Sequence, residues 1–367
     1  MKFSNNAKGL TMRLIGISVV ALILGGCVSD APNLNHEQKM GLGENKILLE
    51  AKSPELDWVS PIDIKYKKKN PQLFSKYEKA KKLIDAWSGQ QNILLDADEI
   101  LKGIIQIDPD FAPAYREYGR LYIMSGYIKT VGHVSSFEKG TLDPSEKSIL
   151  HSINIEPDYA DSYVLLGHLY TKKKLYSEAE EALKKAEDIG TKTPWLDLNW
   201  AELLNIQGNS EKALLRYKKV IEEKSSNKKA HARALSGVTK YYYFKSDFEK
   251  AKQSHIKHLE FEPENAWNWG NYSSFLLFWY GDVDGAVESG EKALDLMNYG
   301  MGRFTLACAL YTKWAMLLEK GDGDANKYFE RAYKLYPDLE KVISKVSKHS
   351  YTKIAAKQLY VYKRNLF

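Results

Sequence analysis

The chain has 367 residues, with 53 lysines and arginines against 47 aspartates and glutamates, a formal net charge of +6, 44% hydrophobic and 12% aromatic residues. That hydrophobic share is ample for a large core and excludes a disordered chain. So even a charge balance offers no footprint for nucleic acid, and two cysteines exclude a disulfide framework.

The first 26 residues read as a signal peptide: Lys2, Lys8 and Arg13 without an acid, then the apolar run Leu14 to Leu24, then two glycines. The run is short of the roughly 20 apolar residues a membrane span needs, and polar sequence follows it at once. Leu24-Gly25-Gly26-Cys27 resembles the lipobox of bacterial lipoproteins. The resemblance implies that Cys27 is acylated and becomes the N-terminus. Because Val28, not aspartate, follows, it also implies sorting to the periplasmic face of the outer membrane. Each buried methylene contributes about 0.8 kcal/mol, so two or three acyl chains would hold the protein nearly permanently. An ordinary secretory signal or an uncleaved tail is the alternative, and Met12 is an alternative start. Only Cys308 would remain in the mature body, so no intramolecular disulfide is available.

Residues 27–70, with Pro32, Pro54, Pro61 and the basic run Lys65 to Lys69, show no sustained helical period and read as a flexible tether. Contact of the basic run with anionic headgroups is the alternative to a solvated linker.

From residue 71 the sequence repeats itself. In Tyr159 to Ile189, one predicted helix carries Tyr163, Leu166, Gly167 and Tyr170 and the next carries Ala179, Leu183 and Ala186, each set on one helical face. Ser177 and Glu180 read as a capping box, and Asp143 with Glu146 as another cap. Ala213 stands 34 residues after Ala179, Tyr115, Tyr118, Gly119 and Tyr122 repeat the first-helix pattern, and closing prolines recur at Pro109, Pro157, Pro263 and Pro337. These residues resemble the tetratricopeptide repeat (TPR), a helix-turn-helix unit with this alternation of large and small side chains. The resemblance implies an all-α fold: a right-handed superhelical solenoid over residues 71–340, with about seven repeats near 78–111, 112–159, 160–193, 194–227, 228–265, 266–300 and 301–338. The second repeat carries an excess of residues at Ser125 to Leu142, read either as a tolerated loop or as a partner contact through Tyr127 and Phe137. Residues 341–367 mix apolar and basic positions and read as a C-terminal capping helix, with membrane contact as the alternative.

Catalytic chemistry is not legible. His255 and His258 share a helical face but have no further ligands at metal-site spacing. The stretch Asp322 to Asn326 has lysine and tyrosine where a calcium loop needs glycine and glutamate, and reads as a turn. No phosphate loop or nucleophile elbow is present, so neither cofactor, metal nor catalytic residues are expected. What remains is a surface. By the TPR resemblance, first helices line a concave groove, and their register nominates Arg116, Arg120, His168, Lys172, Trp195, Asn199, Glu202, Lys240, Trp267, Asn271 and Phe278 as partner-binding residues. Asn199 and Asn271 match the position at which related peptide-binding repeats hold a ligand's backbone. Arg116 and Arg120, one turn apart, are expected to form an open fork for a carboxylate-bearing partner. Together with Cys27, this implies a non-enzymatic scaffold that binds envelope proteins or peptides, of the kind serving pilus assembly, peptidoglycan-hydrolase complexes or polysaccharide export. The alternative is a glycan- or peptidoglycan-binding module using the aromatic stretch Ala266 to Asp282.

Overall fold

The computed structural model describes residues 58–87, 91–129, 140–223 and 227–364. Cys27, the expected signal, the tether as far as residue 57, and Phe137 within the insertion lie outside them. The chain divides into two units, residues 1–231 and 232–367. Among the described residues all regular structure is helical. In the first unit α1 (Pro61–Lys69) precedes the pairs α2 (Pro71–Ala86) with α3 (Gln91–Ile107), α4 (Ala112–Lys129) with α5 (Asp143–Ile155), α6 (Ala160–Lys173) with α7 (Tyr176–Ile189), and α8 (Pro194–Ile206) with α9 (Ser210–Glu222). α10 (Lys228–Phe244) spans the boundary and pairs with α11 (Phe248–Phe261), the Thr239 and Ser254 hydroxyls meeting at 2.8 Å. The second unit continues with α12 (Ala266–Phe275), which runs into a π-helical turn at Leu276–Tyr280, and α13 (Val283–Leu296). It ends with α14 (Gly300–Glu319), α15 (Ala325–Leu335), α16 (Leu339–Val346), a short 3-10 turn at Ser350–Thr352, and α17 (Lys353–Arg364). This is the helical-hairpin architecture of a TPR solenoid.

Local chemistry sets the punctuation. The turn inside five successive pairs places one residue in the left-handed region: Lys174, Gly208, Ser246, Gly281 and Gly321, with φ between +56° and +86°. Second helices stop before the expected prolines, which cannot supply the next amide donor. After α3 and α5, Phe111 and Tyr159 donate their amides to the Asp108 and Glu156 carbonyls and turn the chain. The small residues of the seam do what their spacing implies. A Cβ on Gly167 would stand 2.6 Å from Leu183, so α6 and α7 approach that closely only because none is there. Seam serines satisfy buried backbone: Ser145 donates to the Gly119 carbonyl (2.8 Å) and Ser152 to that of Ala112 (2.9 Å).

Several expectations are corrected. Neither capping box forms: Ser177 and Asp143 lie inside the first turns of α7 and α5, which start at Tyr176 and Asp143 without a side-chain cap. Asp143 and Glu146 instead hold Lys173 of α6. The first pair begins at Pro71, not near residue 78, because Asn70 caps α2 by accepting the Leu73 amide (3.0 Å). The insertion is not wholly loop, since its first five residues continue α4 to Lys129. The C-terminal cap is two helices, α16 and α17, packed on each other and on α14.

The largest difference concerns the tether. Residues 61–69 form α1, capped by Ser60, and pack on the first unit with Tyr66 against Phe111 (centroids 4.8 Å apart). The basic run meets protein carboxylates: Lys65 pairs with Glu156 at 2.6 Å and Lys69 with Asp108 at 3.3 Å. Trp58 donates its indole N–H to Asp161 (3.2 Å). The end of a solenoid leaves an apolar face uncovered, here with Phe74, Tyr77 and Phe111 among its buried residues, and α1 covers part of it.

Candidate functional site

Arg116 and Arg120 do lie one turn apart on α4, but they do not form an open fork. Arg116 is 5% exposed. Its guanidinium donates to Glu117 (2.7 and 3.1 Å), Tyr77 Oη (2.5 Å) and Asp161 (3.3 Å), and sits 5.1 Å from the Tyr159 ring centroid. Arg120 donates to the other oxygen of Glu117 (2.7 Å) and to Asp85 (2.5 Å). Asp63 of α1, 4% exposed, completes the cluster: the Tyr159 hydroxyl donates to one of its oxygens and the Tyr77 hydroxyl to the other (3.4 Å), with Arg116 at 3.9 Å. Lys229 donates to the Asp85 backbone carbonyl. The carboxylates expected on a partner are therefore supplied by the chain itself, and Arg116 has no side left for a second one.

Electrostatics agree with that geometry. Burial alone would raise the Glu117 carboxyl, but Arg120, Arg116 and Lys81 outweigh it and hold the group below the usual carboxylate range. Burial likewise opposes the Arg116 charge, yet its tyrosine and carboxylate neighbours hold the proton more firmly than in water. Burial first of all pushes the Tyr77 and Tyr159 hydroxyls well up, so both remain donors. Glu117, Asp63, Tyr77 and Tyr159 were missed by register because each faces inward; an acid between two arginines in "YREYGR" was the available signal.

Three expected residues do meet on the next first helices. Glu202 of α8 accepts from Lys172 and lies 3.7 Å from His168 Nδ1, both of α6. Asn199, expected to hold a ligand's backbone, is buried and donates to the Val164 carbonyl (3.1 Å), so it holds the neighbouring helix instead. Trp195 is half-buried against the cluster containing Leu183 and Trp200, and Lys240 is half-buried on α10. Phe278 is corrected outright. It is 3% exposed, with its ring 4.7 Å from that of His349 and the Lys345 ammonium 4.7 Å from its centroid. The π-helical turn adds a residue to the helical count there, which rotates Phe278 off the face that 3.6 periodicity assigns it.

Trp267 and Asn271 remain available. They stand four residues apart on α12, hence on one face, and both are exposed, Trp267 by 38%. The Trp267 ring rests on Tyr299, 4.3 Å between centroids, and Tyr299 is anchored by donating to the Ala266 carbonyl (3.3 Å). Met297 and Met301, both exposed, flank Tyr299 in the chain. Two other rings of the aromatic stretch are engaged within the fold: Trp269 donates to the Pro263 carbonyl (2.7 Å) and Tyr272 packs on His255 and Phe275.

The other motifs are structural. His255 lies among those rings, and burial, then the neighbouring His258, lowers it to about 3. No group of three or more metal-ligating side chains is arranged to hold an ion among the described residues. Asp322 accepts the Asp324 amide (2.9 Å) in a turn before α15. No helix among the described residues is long and apolar enough to cross a membrane.

No protein-family model and no curated protein matches the chain. Among solved structures it is similar to PilW, a type IV pilus biogenesis factor, at 15% identity and a TM-score of 0.48, over 63% of this chain and 96% of that one. It is also similar to Pseudomonas aeruginosa PilF, at 16% identity and 0.44 over 62% and 94% of the two chains. A third similarity is to YrrB, a TPR protein with an unusual peptide-binding site, at 16% identity and 0.36 over 55% and 95%.

Proposed function

We propose that the chain is a non-enzymatic scaffold of the bacterial envelope, anchored through acylated Cys27 to the periplasmic face of the outer membrane, that binds protein partners on its first-helix surface. The observation that carries the reading is the exposed Trp267, supported from behind by Tyr299, with the Asn271 amide one turn along and two exposed methionines beside it. Aromatic side chains and methionine are enriched where proteins meet, and an amide supplies the donor and acceptor an extended peptide needs. The self-paired charges of the first unit hold its helices together; recognition is assigned to α12.

Full-length protein used to capture partners from solubilised envelopes is expected to retain an envelope protein above background. Trp267→Ala is expected to weaken that complex by about 2 kcal/mol, a central aromatic anchor being worth that much. Equal capture by the well-folded variant would remove the site from α12. The anchor is tested separately: Cys27→Ser is expected to abolish incorporation of labelled palmitate and leave an unprocessed precursor. Label in that variant would exclude the lipobox reading.

A further inference from the structure

A cavity of about 770 Å³ opens in the second unit where the α10–α11 turn, the π-helical turn after α12 and the 3-10 turn before α17 come together. The α10–α11 turn contributes Lys245, Ser246 and Asp247, the first turn of α11 Phe248 and Glu249, the π-helical turn Trp279 and Tyr280, and the 3-10 turn Tyr351. None of these residues was nominated by repeat register, and Trp279 and Tyr280 belong to the aromatic stretch Ala266 to Asp282 from which the glycan-binding alternative was read.

Three features meet at this place. The π-helical turn is a departure from the repeat, and such turns concentrate at functional sites. Ser246 has φ +56°, a left-handed conformation that costs a residue with a side chain and is occupied by glycine in three of the five equivalent turns. Finally, the indole nitrogen of Trp279 is buried and has no hydrogen-bond partner, as is Nε2 of His349, whose ring lies 5.2 Å from that of Trp279. Buried polar atoms without a partner are uncommon in a packed core.

The lining selects the ligand. Half of its residues are aromatic and half polar, so a purely apolar molecule would strand polar groups. The polar half carries both signs, and because Asp247 is held by the Lys250 ammonium at 2.7 Å, Lys245 stands against Glu249, which favours neither an anion nor a cation. The rings are held in place: Trp279 packs edge-on to Tyr243 at 4.7 Å, and Tyr280 donates to Glu249 (2.7 Å) with the Lys252 ammonium 4.2 Å from its ring centroid. Tyr351 lies over Gly281, whose missing Cβ would stand 2.7 Å from the ring, and is itself half exposed. A neutral molecule with one C–H face and hydroxyl edges matches this set. Its C–H face stacks on the negative face of an aromatic ring, and its hydroxyls reach Glu249, a carboxylate with several acceptor positions.

We infer that this cavity is a carbohydrate-binding site that takes a short segment of a saccharide chain. Lys245, Ser246, Glu249 and Tyr351 are exposed around it, so it is open enough for a chain to pass and not enclosed for a single metabolite. The inference stands apart from the protein-binding surface on α12 and does not depend on it.

The full-length protein titrated with chitohexaose, cellohexaose and maltohexaose, followed by tryptophan fluorescence and calorimetry, is expected to bind at least one of the three. Tyr351→Ala and Glu249→Gln are each expected to weaken that binding by about tenfold, a loss of one stacked ring or one hydrogen-bonded pair, with the helical circular dichroism unchanged. Should Tyr351→Ala disturb the fold, Glu249→Gln, on an exposed side chain, carries the test. Absence of binding to all three saccharides at millimolar concentration, or binding that both folded variants leave unchanged, would overturn the inference. Trp267→Ala is expected to leave saccharide binding intact.

Discussion

Arg116→Ala is expected to destabilise the first unit by about 3–5 kcal/mol, the cost of breaking a buried ion pair from one side. The guanidinium is shared among Glu117, Asp161 and the hydroxyl of Tyr77, with Asp63 at 3.9 Å. Its removal leaves Glu117, with no exposed surface at all, hydrogen-bonded to Arg120 and with Lys81 as its other nearby positive charge. The loss should be read in urea unfolding together with amide exchange across α1, α4 and α6, whose protection should fall together because Asp63, Arg116 and Asp161 join those elements. A cost below about 1 kcal/mol, the scale of an exposed pair, would mean that the cluster is solvated. The pH dependence supplies an independent check. Since Glu117 is held below the ordinary carboxylate range, the unfolded chain takes up its proton first. The stability it contributes is therefore present above the unfolded carboxylate value and is lost as pH falls through the lower folded one. In Arg116→Ala one of the charges that holds the proton off is gone, so acid unfolding should begin at higher pH; Glu117→Gln should flatten the same limb.

The second large effect is expected at the α6–α7 seam, where Leu183→Ala should cost about 2–5 kcal/mol, because Leu183 is fully buried and the helices around it collapse only in part. Gly167→Ala, which adds volume at the same point, should cost about 1–3 kcal/mol through overpacking. The two are coupled. A Cβ on Gly167 meets Leu183 Cγ and Cδ2 at 2.6 Å, so truncating Leu183 makes room for it. The double variant should lose less than the sum, by an interaction energy of about 0.5–3 kcal/mol. Strict additivity would show that the glycine serves some purpose other than close approach of the two helices.

Helical periodicity carried most of the architecture. Tyr163, Leu166, Gly167, Ala179 and Leu183 mark one seam because only one face of each helix can be buried in a stacked hairpin, and the closing prolines end second helices because they lack an amide. Such local rules repeat from unit to unit and are legible in the chain itself. They failed where the repeat was locally broken: a single extra residue in the π-helical turn turned Phe278 inward, and the turns around Ser246, Trp279 and Tyr351 met in a cavity that no register predicts.

Periodicity also reports which side of a helix faces inward without reporting what it meets there. Arg116 and Arg120 were placed correctly on α4, but whether they were open or spent depended on Asp63, Asp85 and Asp161, 53, 35 and 45 residues away in the chain. The same holds for α1, whose charged sequence lacks a helical period: its buried side presents Asp63 and Tyr66, and a buried carboxylate is tolerable only once distant donors surround it. The sequence by itself determined the helices, their pairing and the small residues of the seams, because those follow from spacing along one chain segment. Which charges are self-satisfied and which surfaces remain open was decided by the tertiary structure, because burying a charge depends on partners that only folding brings within hydrogen-bond distance.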